Sequence, residues 1–197
     1  MTLLVLEVLL SPTRVIADRL KKKWDAAAFI RRWSLGFLVF ALGTSVLVYI
    51  LSLQSTGRRV PFWLVLIFVW LIPFSRVNEV FCAFLHDSLD RIRGRPPTIP
   101  LQAADRIILA GCSYVETIIN FGLIHYLVFS SNFSRSFRDI LEAIYFSGVT
   151  ITTLGYGDLA PCGALPQMLS IYEVLIGYVL VVVAFGAYLG VLRREAA

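Results

Sequence analysis

The stretch Thr152-Thr153-Leu154-Gly155-Tyr156-Gly157-Asp158 lies between two long apolar segments, and the rest of the chain is interpreted from it. Its two glycines, Gly155 and Gly157, stand at alternate positions. Glycine adopts left-handed backbone conformations without a Cβ clash. Where alternate residues leave the β region, successive carbonyl oxygens can turn toward one side, so the stretch predicts a row of backbone carbonyls along one axis.

A row of carbonyls of this kind is suited to a dehydrated potassium ion, because rings of carbonyl oxygens can replace the hydration shell of the ion. One strand cannot surround an ion, so the sequence predicts a homotetramer with a central pore. The Thr153 hydroxyl would add an oxygen at the inner end of the row. The alternative is a turn that contains Gly-Tyr-Gly by chance. The full seven-residue stretch and the segments on either side of it favour a selectivity filter.

The composition indicates an integral membrane protein. The 197 residues are 58% hydrophobic and only 16% charged, with a mean hydropathy of +0.77, which is too apolar for one water-soluble core. We interpret the net charge of +5 as a topology signal, and we expect no nucleic-acid partner. The sequence carries no catalytic cluster and no nucleotide-binding glycine loop, so we expect no enzyme and no cofactor, with K⁺ only as the permeant ion.

Four segments are long enough, or nearly so, to cross a membrane: 34–53, 60–85, 107–129 and 166–192. The second must continue through Arg76 to span, and Pro61 fits its first helical turn. Residues 133–150 are too polar at their start to span and too apolar at their end to be a free loop. The predicted fold class is an all-α membrane protein with four transmembrane helices, a re-entrant pore helix and a filter loop.

The predicted pore helix has a recognisable start. Ser136 and Asp139 match a capping box, and Asp139 and Glu142 lie near the positive end of the helix dipole. Residues 140–149 are mostly apolar, as membrane depth requires. The carboxyl end of this helix would direct its partial negative charge toward a cation in the pore.

The distribution of basic residues predicts the orientation. If both termini are cytoplasmic, thirteen Lys and Arg residues lie inside and four outside, with Arg76 left unassigned within the second segment. The excess of basic residues on the cytoplasmic side favours a multi-pass protein of the cell membrane with both termini inside. This orientation places the filter toward the outer face.

Residues 107–194 resemble the pore domain of the tetrameric potassium channels, in the order outer helix, pore helix, filter and inner helix. The family pattern T-x-x-T-x-G-Y-G-D is matched, with a leucine where valine or isoleucine is usual, at Thr150, Thr153, Gly155, Tyr156, Gly157 and Asp158. The resemblance implies that K⁺ binds the carbonyls of Thr153, Leu154, Gly155 and Tyr156, beside Gly157. It also implies that Thr152 and Asp158 support the filter.

The chain departs from the family pattern behind the filter. The family often has two tryptophans that brace the filter tyrosine and aspartate, but Tyr145 and Phe146 stand here. Tyr145 could donate a hydrogen bond to Asp158, whereas Phe146 has no polar edge. Val149 stands where minimal two-helix bacterial channels carry a buried glutamate. We therefore expect packing, more than hydrogen bonding, to hold the filter in place.

The inner helix carries two further candidates. Gly177 matches the family's hinge glycine, and a glycine weakens a helix there by about 1 kcal/mol relative to alanine. Close packing against a neighbouring helix would explain it equally well. Glu173 is a carboxylate at membrane depth, which is a functional candidate by default, and it could also be protonated or hydrogen-bonded behind the filter. Glu116 and His125 are similar candidates on the outer helix, with a structural role favoured for His125.

The sequence divides into three parts. Residues 1–33 form an amphipathic, basic N-terminal segment on the cytoplasmic side, which either contacts anionic lipids or only fixes topology. Residues 34–95 form a two-helix hairpin with a cytoplasmic extension, in which Arg76 could pair with Glu79. Residues 96–197 form the pore domain. No segment repeats Arg or Lys at every third position, so we expect no voltage sensor.

Two other functions fit the same helices. A less selective cation channel would share the architecture but usually alters the Gly-Tyr-Gly step, which is intact here. A non-conducting accessory subunit would keep the helices without needing the complete filter.

Overall fold

The computed structural model describes residues 11–21, 25–53, 61–95 and 101–184. Within these ranges the chain is helical, with one isolated β-bridge between Phe133 and Pro161, and the predicted all-α class is confirmed. Both chain ends lie outside the described residues, and the cytoplasmic position of the termini stays a prediction. The α-helices are α1 (Pro12–Leu20), α2 (Ala26–Leu53), α3 (Phe62–Val69), α4 (Ser75–Ile92), α5 (Ala103–Phe129), α6 (Ile140–Ile151) and α7 (Ala164–Tyr178).

Four helical spans in the described part are long and apolar enough to cross a membrane, the number predicted: Ala26–Leu53, Phe62–Asp90, Ala104–Asn132 and Ala164–Val181. The first begins eight residues before the predicted segment, which started at Ser34. The Asp25 side chain accepts a hydrogen bond from Ala27 N at 3.1 Å and so caps this earlier start. Helix α2 therefore includes Arg31 and Arg32, which the sequence had placed before the membrane.

The second span contains a proline. Helices α3 and α4 are joined by a π-helical turn, Trp70–Phe74, that contains Pro73. Proline has no N–H to donate and its ring collides with the preceding turn, and the wider π turn accommodates it. Pro61 immediately precedes the first residue of α3, with φ −54° and ψ 129°, so its predicted place inside the first turn is wrong.

A buried ionic cluster allows α4 to carry charge inside the bundle. Arg76 is 4% exposed and pairs with Glu79 at 2.8 Å and with Glu116 of α5 at 2.7 Å. Trp33 Nε1 of α2 donates to Glu79 at 2.9 Å, and the Phe37 ring lies 4.8 Å from the guanidinium carbon. The Arg76–Glu79 pair was predicted, but the partner on α5 was not. Buried charges require partners of this kind. Because these side chains come from three helices, the cluster joins α2, α4 and α5.

Helix α1 packs against α4. Ser11 Oγ donates to the Ser75 carbonyl at 3.0 Å, and Thr13 N donates to Ser75 Oγ at 2.9 Å. All three residues are buried, whereas Ile16 on the same helix is 50% exposed. The N-terminal segment therefore contacts the protein itself on one face.

The outer helix α5 lies directly against the pore helix α6. A Cβ added at Gly122 would lie 2.7 Å from Ile144 Cγ1 and 2.9 Å from Ile144 Cα. No real side chain fits at that distance, so the two backbones approach closely at this point. Small residues allow such contacts between membrane helices.

We expect Gly122→Ala to lower the stability of the fold by about 1–3 kcal/mol, because α6 must move away to admit the methyl group. The matched control is Gly111→Ala on the same helix, where an added Cβ meets nothing within 4 Å. That control should be neutral or stabilising by up to about 1 kcal/mol. Thermal unfolding of the purified variants in detergent measures both. Equal midpoints for the two variants would contradict the close contact.

Candidate functional site

The pore helix α6 begins at Ile140, one residue after its cap. Asp139 Oδ1 accepts a hydrogen bond from Glu142 N at 2.9 Å, and Asp139 has extended backbone. The prediction of Ser136 as the cap is therefore wrong. The extended residue before the helix is Asp139, and only its side chain reaches the free N–H groups of the first turn.

Glu142 is held by two arginines in front of the helix. Arg135 donates to both carboxylate oxygens, at 2.9 and 2.7 Å. Arg138 adds hydrogen bonds from its backbone N at 2.8 Å and from its side-chain Nε at 2.9 Å. The hydrogen bonds from Arg135, with those from Arg138, lower the pKa of Glu142 to about 2. The sequence pointed to Glu142 only as a dipole partner, and nothing in its pattern indicated the arginine pair.

The predicted filter loop, residues 152–158, has alternating left-handed backbone. The φ angles of Thr153, Gly155 and Gly157 are 61°, 57° and 77°. The two glycines were predicted to leave the β region, but Thr153 was not. Thr153 is the one non-glycine with positive φ in the described part of the chain, and such strain persists only where the surroundings impose it.

Main-chain hydrogen bonds attach the loop to the end of α6. The Val149 carbonyl accepts from Leu154 N at 3.0 Å, and the Thr150 carbonyl accepts from Thr153 N at 2.9 Å. Thr152 Oγ1 donates to the Gly148 carbonyl at 2.6 Å. Val149, predicted to support the filter, therefore contacts it through its backbone, and Thr152 satisfies a carbonyl at the helix end.

The far end of the loop is fixed to the segment that follows α5. Ser134 N donates to the Ala160 carbonyl at 2.8 Å, and Cys162 N donates to the Asn132 carbonyl at 2.7 Å. Leu159 is 4% exposed and belongs to the core between α2, α5 and α6. The loop is thus held at both ends by elements of its own chain.

The two residues that replace the tryptophan pair have different surroundings. Tyr145 is 43% exposed. Desolvation raises the pKa of its phenol, and the charge of Asp158 and a hydrogen bond to it raise that pKa further. Phe146 is 6% exposed, and its ring centroid lies 5.2 Å from that of His125 and 4.9 Å from that of Phe133. Tyr145 thus lies within electrostatic reach of Asp158 in the filter loop, whereas Phe146 packs in an aromatic cluster.

A buried polar contact connects the inner helix to the pore helix. Glu173 of α7 is fully buried, and Ser147 Oγ of α6 donates a short hydrogen bond to its Oε1. His125 Nε2 of α5 lies 3.4 Å from Glu173 Oε2. The sequence indicated Glu173 and His125 separately. It gave no signal for Ser147, because the contact joins residues on two helices that are 26 positions apart.

Gly177 lies against the end of the pore helix. A Cβ added there would be 2.8 Å from Ile151 Cγ1 and 2.9 Å from the Ile151 carbonyl oxygen. The close-packing explanation of Gly177 therefore has structural support. Its role as a hinge stays a prediction, and a π-helical stretch, Val179–Ala184, begins two residues later.

A single chain leaves the filter loop uncovered. Residues 152–158 are all exposed, including Leu154 at 60% and Tyr156 at 66%. One face of α7 is exposed beside them through apolar residues three or four positions apart, Leu165, Met168, Ile171, Leu175 and Tyr178. Apolar surface of this extent on a membrane-spanning helix is suited to contact with lipid or with another protein surface.

Sequence comparisons point to the class of protein, an ion channel. Residues 113–194 match the family described as "Ion channel". Two pore potassium channel c of Oryza sativa subsp. japonica is 33% identical over 75 residues, 36% of this chain and 16% of that protein. Two-pore potassium channel 2 of Arabidopsis thaliana is 36% identical over 84 residues, 42% of this chain and 19% of that protein. Protein LctB of Bacillus caldotenax is 28% identical over 99 residues, 42% of this chain and 73% of that protein.

Residues 113–194 are thus similar to the ion-channel family, and the two plant relatives are named as potassium channels. These matches point to a channel and not to an enzyme, as the sequence predicted. The matched region spans less than a fifth of either plant protein. No solved structure gives a significant match.

The hydrogen bonds of Glu142 with Arg135 and Arg138 make the stability of the fold depend on pH in the acidic range. The pKa of Glu142 is lowered from 4.5 to about 2 in the folded chain. The ionised side chain therefore contributes fully to the free energy of unfolding above pH 4.5, and this contribution is lost as the pH falls toward 2. We expect Glu142→Gln to lower the thermal midpoint at pH 6 but to match the unmodified chain near pH 2. Thermal unfolding across that range measures the difference. A difference independent of pH would contradict the ionised cap.

The Ser147–Glu173 bond should contribute measurably because both groups are buried. Ser147→Ala leaves a buried carboxylate oxygen without its donor, and we expect a loss of about 1–3 kcal/mol. In the background of Glu173→Leu the same serine change should cost less, so the two effects should not add. A double-mutant cycle of thermal unfolding tests this. Strict additivity would show that the two side chains do not interact.

Proposed function

We propose that four copies of this chain form a potassium channel that conducts K⁺ passively down its electrochemical gradient. The observation that carries the proposal is the alternation of left-handed residues at Thr153, Gly155 and Gly157, within a Thr-Thr-Leu-Gly-Tyr-Gly-Asp sequence at the end of a short helix. This alternation supports a row of carbonyls facing one axis. Carbonyl rings of that kind replace the hydration shell of an ion.

In this proposal the ion contacts are made by the backbone. The carbonyls of Thr153, Leu154, Gly155 and Tyr156, with the Thr153 hydroxyl, form successive oxygen rings, and Gly157 closes the outer end. The loop has no core of its own, so its position depends on the hydrogen bonds of the Val149 and Thr150 carbonyls. Asp158 and Tyr145 brace the outer end through the interaction described above.

We infer the tetramer because the loop of one chain cannot surround an ion. A single loop supplies oxygens on one side of an ion, and dehydration requires oxygens on all sides. The exposed apolar face of α7 beside the filter loop supports an assembly in which neighbouring copies cover that face. The names of the two plant relatives describe potassium channels, and this supports K⁺ as the ion.

The proposed channel opens without a voltage sensor of the arginine-repeat type. A voltage sensor needs several basic residues that move through the membrane field. In the described parts of the two N-terminal spans, the basic residue fixed deepest in the protein is Arg76, which is paired with two carboxylates. An arginine held by two ion pairs is suited to fixing helices together and not to moving through the membrane field.

Ion flux tests the proposal. Purified protein is reconstituted into liposomes, and K⁺ and Na⁺ fluxes are compared for the unmodified chain and Gly155→Ala. We expect K⁺ flux at least about tenfold above Na⁺ flux, and loss of that selectivity or of all flux in the variant. Alanine at φ +57° is strained even though an added Cβ meets nothing within 4 Å of its own chain.

The matched control is Gly43→Ala on α2, where the same change meets no atom within 4 Å and the backbone is ordinary helix. It should conduct like the unmodified chain. Native mass spectrometry of the same sample gives the number of copies. Equal K⁺ and Na⁺ flux would indicate a less selective cation channel. A folded tetramer that is silent at every pH, voltage and lipid composition would indicate an accessory subunit.

A further inference from the structure

A groove of 580 Å³ lies between α1, α2 and the π-helical turn of the second span. Arg32, Gly36 and Phe40 line it from α2, and because they are four residues apart they lie on one face of that helix. Ile16 of α1 and Leu71 of the π-helical turn line it as well. The volume of the groove is in the range of small-molecule sites, and no part of the proposed conduction path uses it.

The lining of the groove is mainly apolar and is left uncovered by the described part of the chain. Ile16, Phe40 and Leu71 are 50%, 45% and 40% exposed. Thr13 also lies there, and its hydroxyl already has a partner in α4. Among the described residues that line the groove, Arg32 is the one with a charge. A ligand that fits this surface is therefore apolar over most of its length and carries an anionic group at one end.

Arg32 and Phe40 lie at different depths of the first membrane span. The chain has no charged residue from Ser34 to Leu53, so Arg32 stands at the edge of this apolar run. Phe40 is eight residues further along, which is about 12 Å along the helix axis. The phosphate of a phospholipid lies at the membrane boundary and its acyl chains extend inward. The groove thus runs from charge to apolar surface in the same direction as a lipid molecule.

Gly36 keeps the middle of the groove open. It lies between Arg32 and Phe40 on the same face of α2, and an added Cβ there would meet nothing within 4 Å. Gly122 and Gly177 are different, because an added Cβ would lie 2.7 and 2.8 Å from the nearest side-chain atom of another helix. The small size of Gly36 therefore serves no close contact between the described helices, and it leaves space that an acyl chain can occupy.

Arg32 has the charge for an anionic group. It is exposed, and it forms no ion pair or hydrogen bond with any residue that the structure describes. Its neighbour Arg31 is also exposed but pairs with Asp105 at 3.3 Å. Guanidinium groups bind phosphate through two parallel hydrogen bonds. Of two adjacent arginines, one is thus paired within the protein and the other is available at the groove.

We propose that this groove binds one anionic phospholipid, with its phosphate on Arg32 and one acyl chain along Gly36 toward Phe40. Arg32 selects for negative charge, because a basic residue at the membrane surface attracts anionic lipids. The groove gives the lipid a defined place, because α1 is hydrogen-bonded to the second span and so fixes the walls relative to each other.

Native mass spectrometry of the full chain in detergent tests the proposal. The protein is titrated with dioleoylphosphatidylglycerol, which is anionic, or with dioleoylphosphatidylcholine, which has the same acyl chains and no net charge. The bound lipids per chain are counted. We expect phosphatidylglycerol to occupy one site per chain, with an affinity at least about fivefold above that of phosphatidylcholine. Equal affinity for the two lipids would overturn the proposal.

Two adjacent arginines locate the phosphate. Arg32→Gln removes the charge at the groove, and we expect the affinity for phosphatidylglycerol to fall about fivefold, to the level of phosphatidylcholine. The comparison is Arg31→Gln, which removes the same charge one residue away and outside the lining. It should bind nearly as tightly as the unmodified chain. An equal loss in both variants would show attraction to net charge alone and would contradict the site.

Two glycines of α2 locate the acyl chain. Gly36→Leu keeps Arg32 but fills the groove, and we expect the affinity for phosphatidylglycerol to fall at least about tenfold because the leucine takes the place of the acyl chain. The control is Gly43→Leu, where an added Cβ also meets nothing within 4 Å and which does not line the groove. It should bind normally. Unchanged affinity in folded Gly36→Leu, with folding checked by thermal unfolding, would overturn the proposal.

A second copy of the chain is another occupant that the same measurement detects. If the groove were an interface between copies, Gly36→Leu would lower the number of copies in the mass spectrum and leave lipid binding unchanged. That result would also overturn the proposal. None of these readouts uses ion flux, so the result is independent of the proposed conduction.

Discussion

A filter loop has no hydrophobic core, and its geometry depends on how firmly the short helix in front of it is held. Here α6 is fixed at its start by Asp139 and by the contacts of Glu142 with two arginines. At its end, carbonyls that the helix cannot satisfy itself accept hydrogen bonds from the first residues of the loop. The left-handed conformation of Thr153 is imposed from this junction. The strained backbone is thus maintained by an ordinary helix with two well-satisfied ends.

The same principle of satisfied polar groups explains the charged residues at membrane depth. Arg76 lies between two carboxylates and beside an aromatic ring, and Glu173 accepts a hydrogen bond from Ser147. Apart from the Arg76–Glu79 pair within α4, these contacts join different helices, so the polar groups fix which helices are neighbours. Apolar packing alone specifies such neighbours weakly in a membrane, because lipid is as apolar as the helix surfaces.

Sequence reasoning recovered the helix content, the four spans, the pore helix and the alternate glycines, because hydrophobic length and glycine placement are local properties. It erred where a boundary depended on one side chain. The pore-helix cap is Asp139 and not Ser136, and α2 begins at Ala26 because Asp25 caps it. Both boundaries depend on which side chain accepts from the free N–H groups of the first turn, and the sequence pattern does not show this.

Contacts between helices were beyond the reach of the sequence. Arg76 could be paired with Glu79 because they are three residues apart on one helix, but Glu116 lies 40 residues away. Likewise, Ser147 and His125 come close to Glu173 only because α5, α6 and α7 pack together. Phe146 packs against His125 for the same reason. The positive φ of Thr153 was also missed, because threonine itself has no preference for it.

The contact between Gly177 and Ile151 has a mechanical consequence. Ile151 is the last residue of α6, and Thr152 follows it directly. The inner helix approaches Ile151 so closely at Gly177 that even a Cβ atom would not fit between them. A bend of α7 at Gly177 would therefore either push on the first residue of the loop or leave a gap behind it. In the proposed channel, movement of the inner helix would therefore reach the filter loop through this one contact.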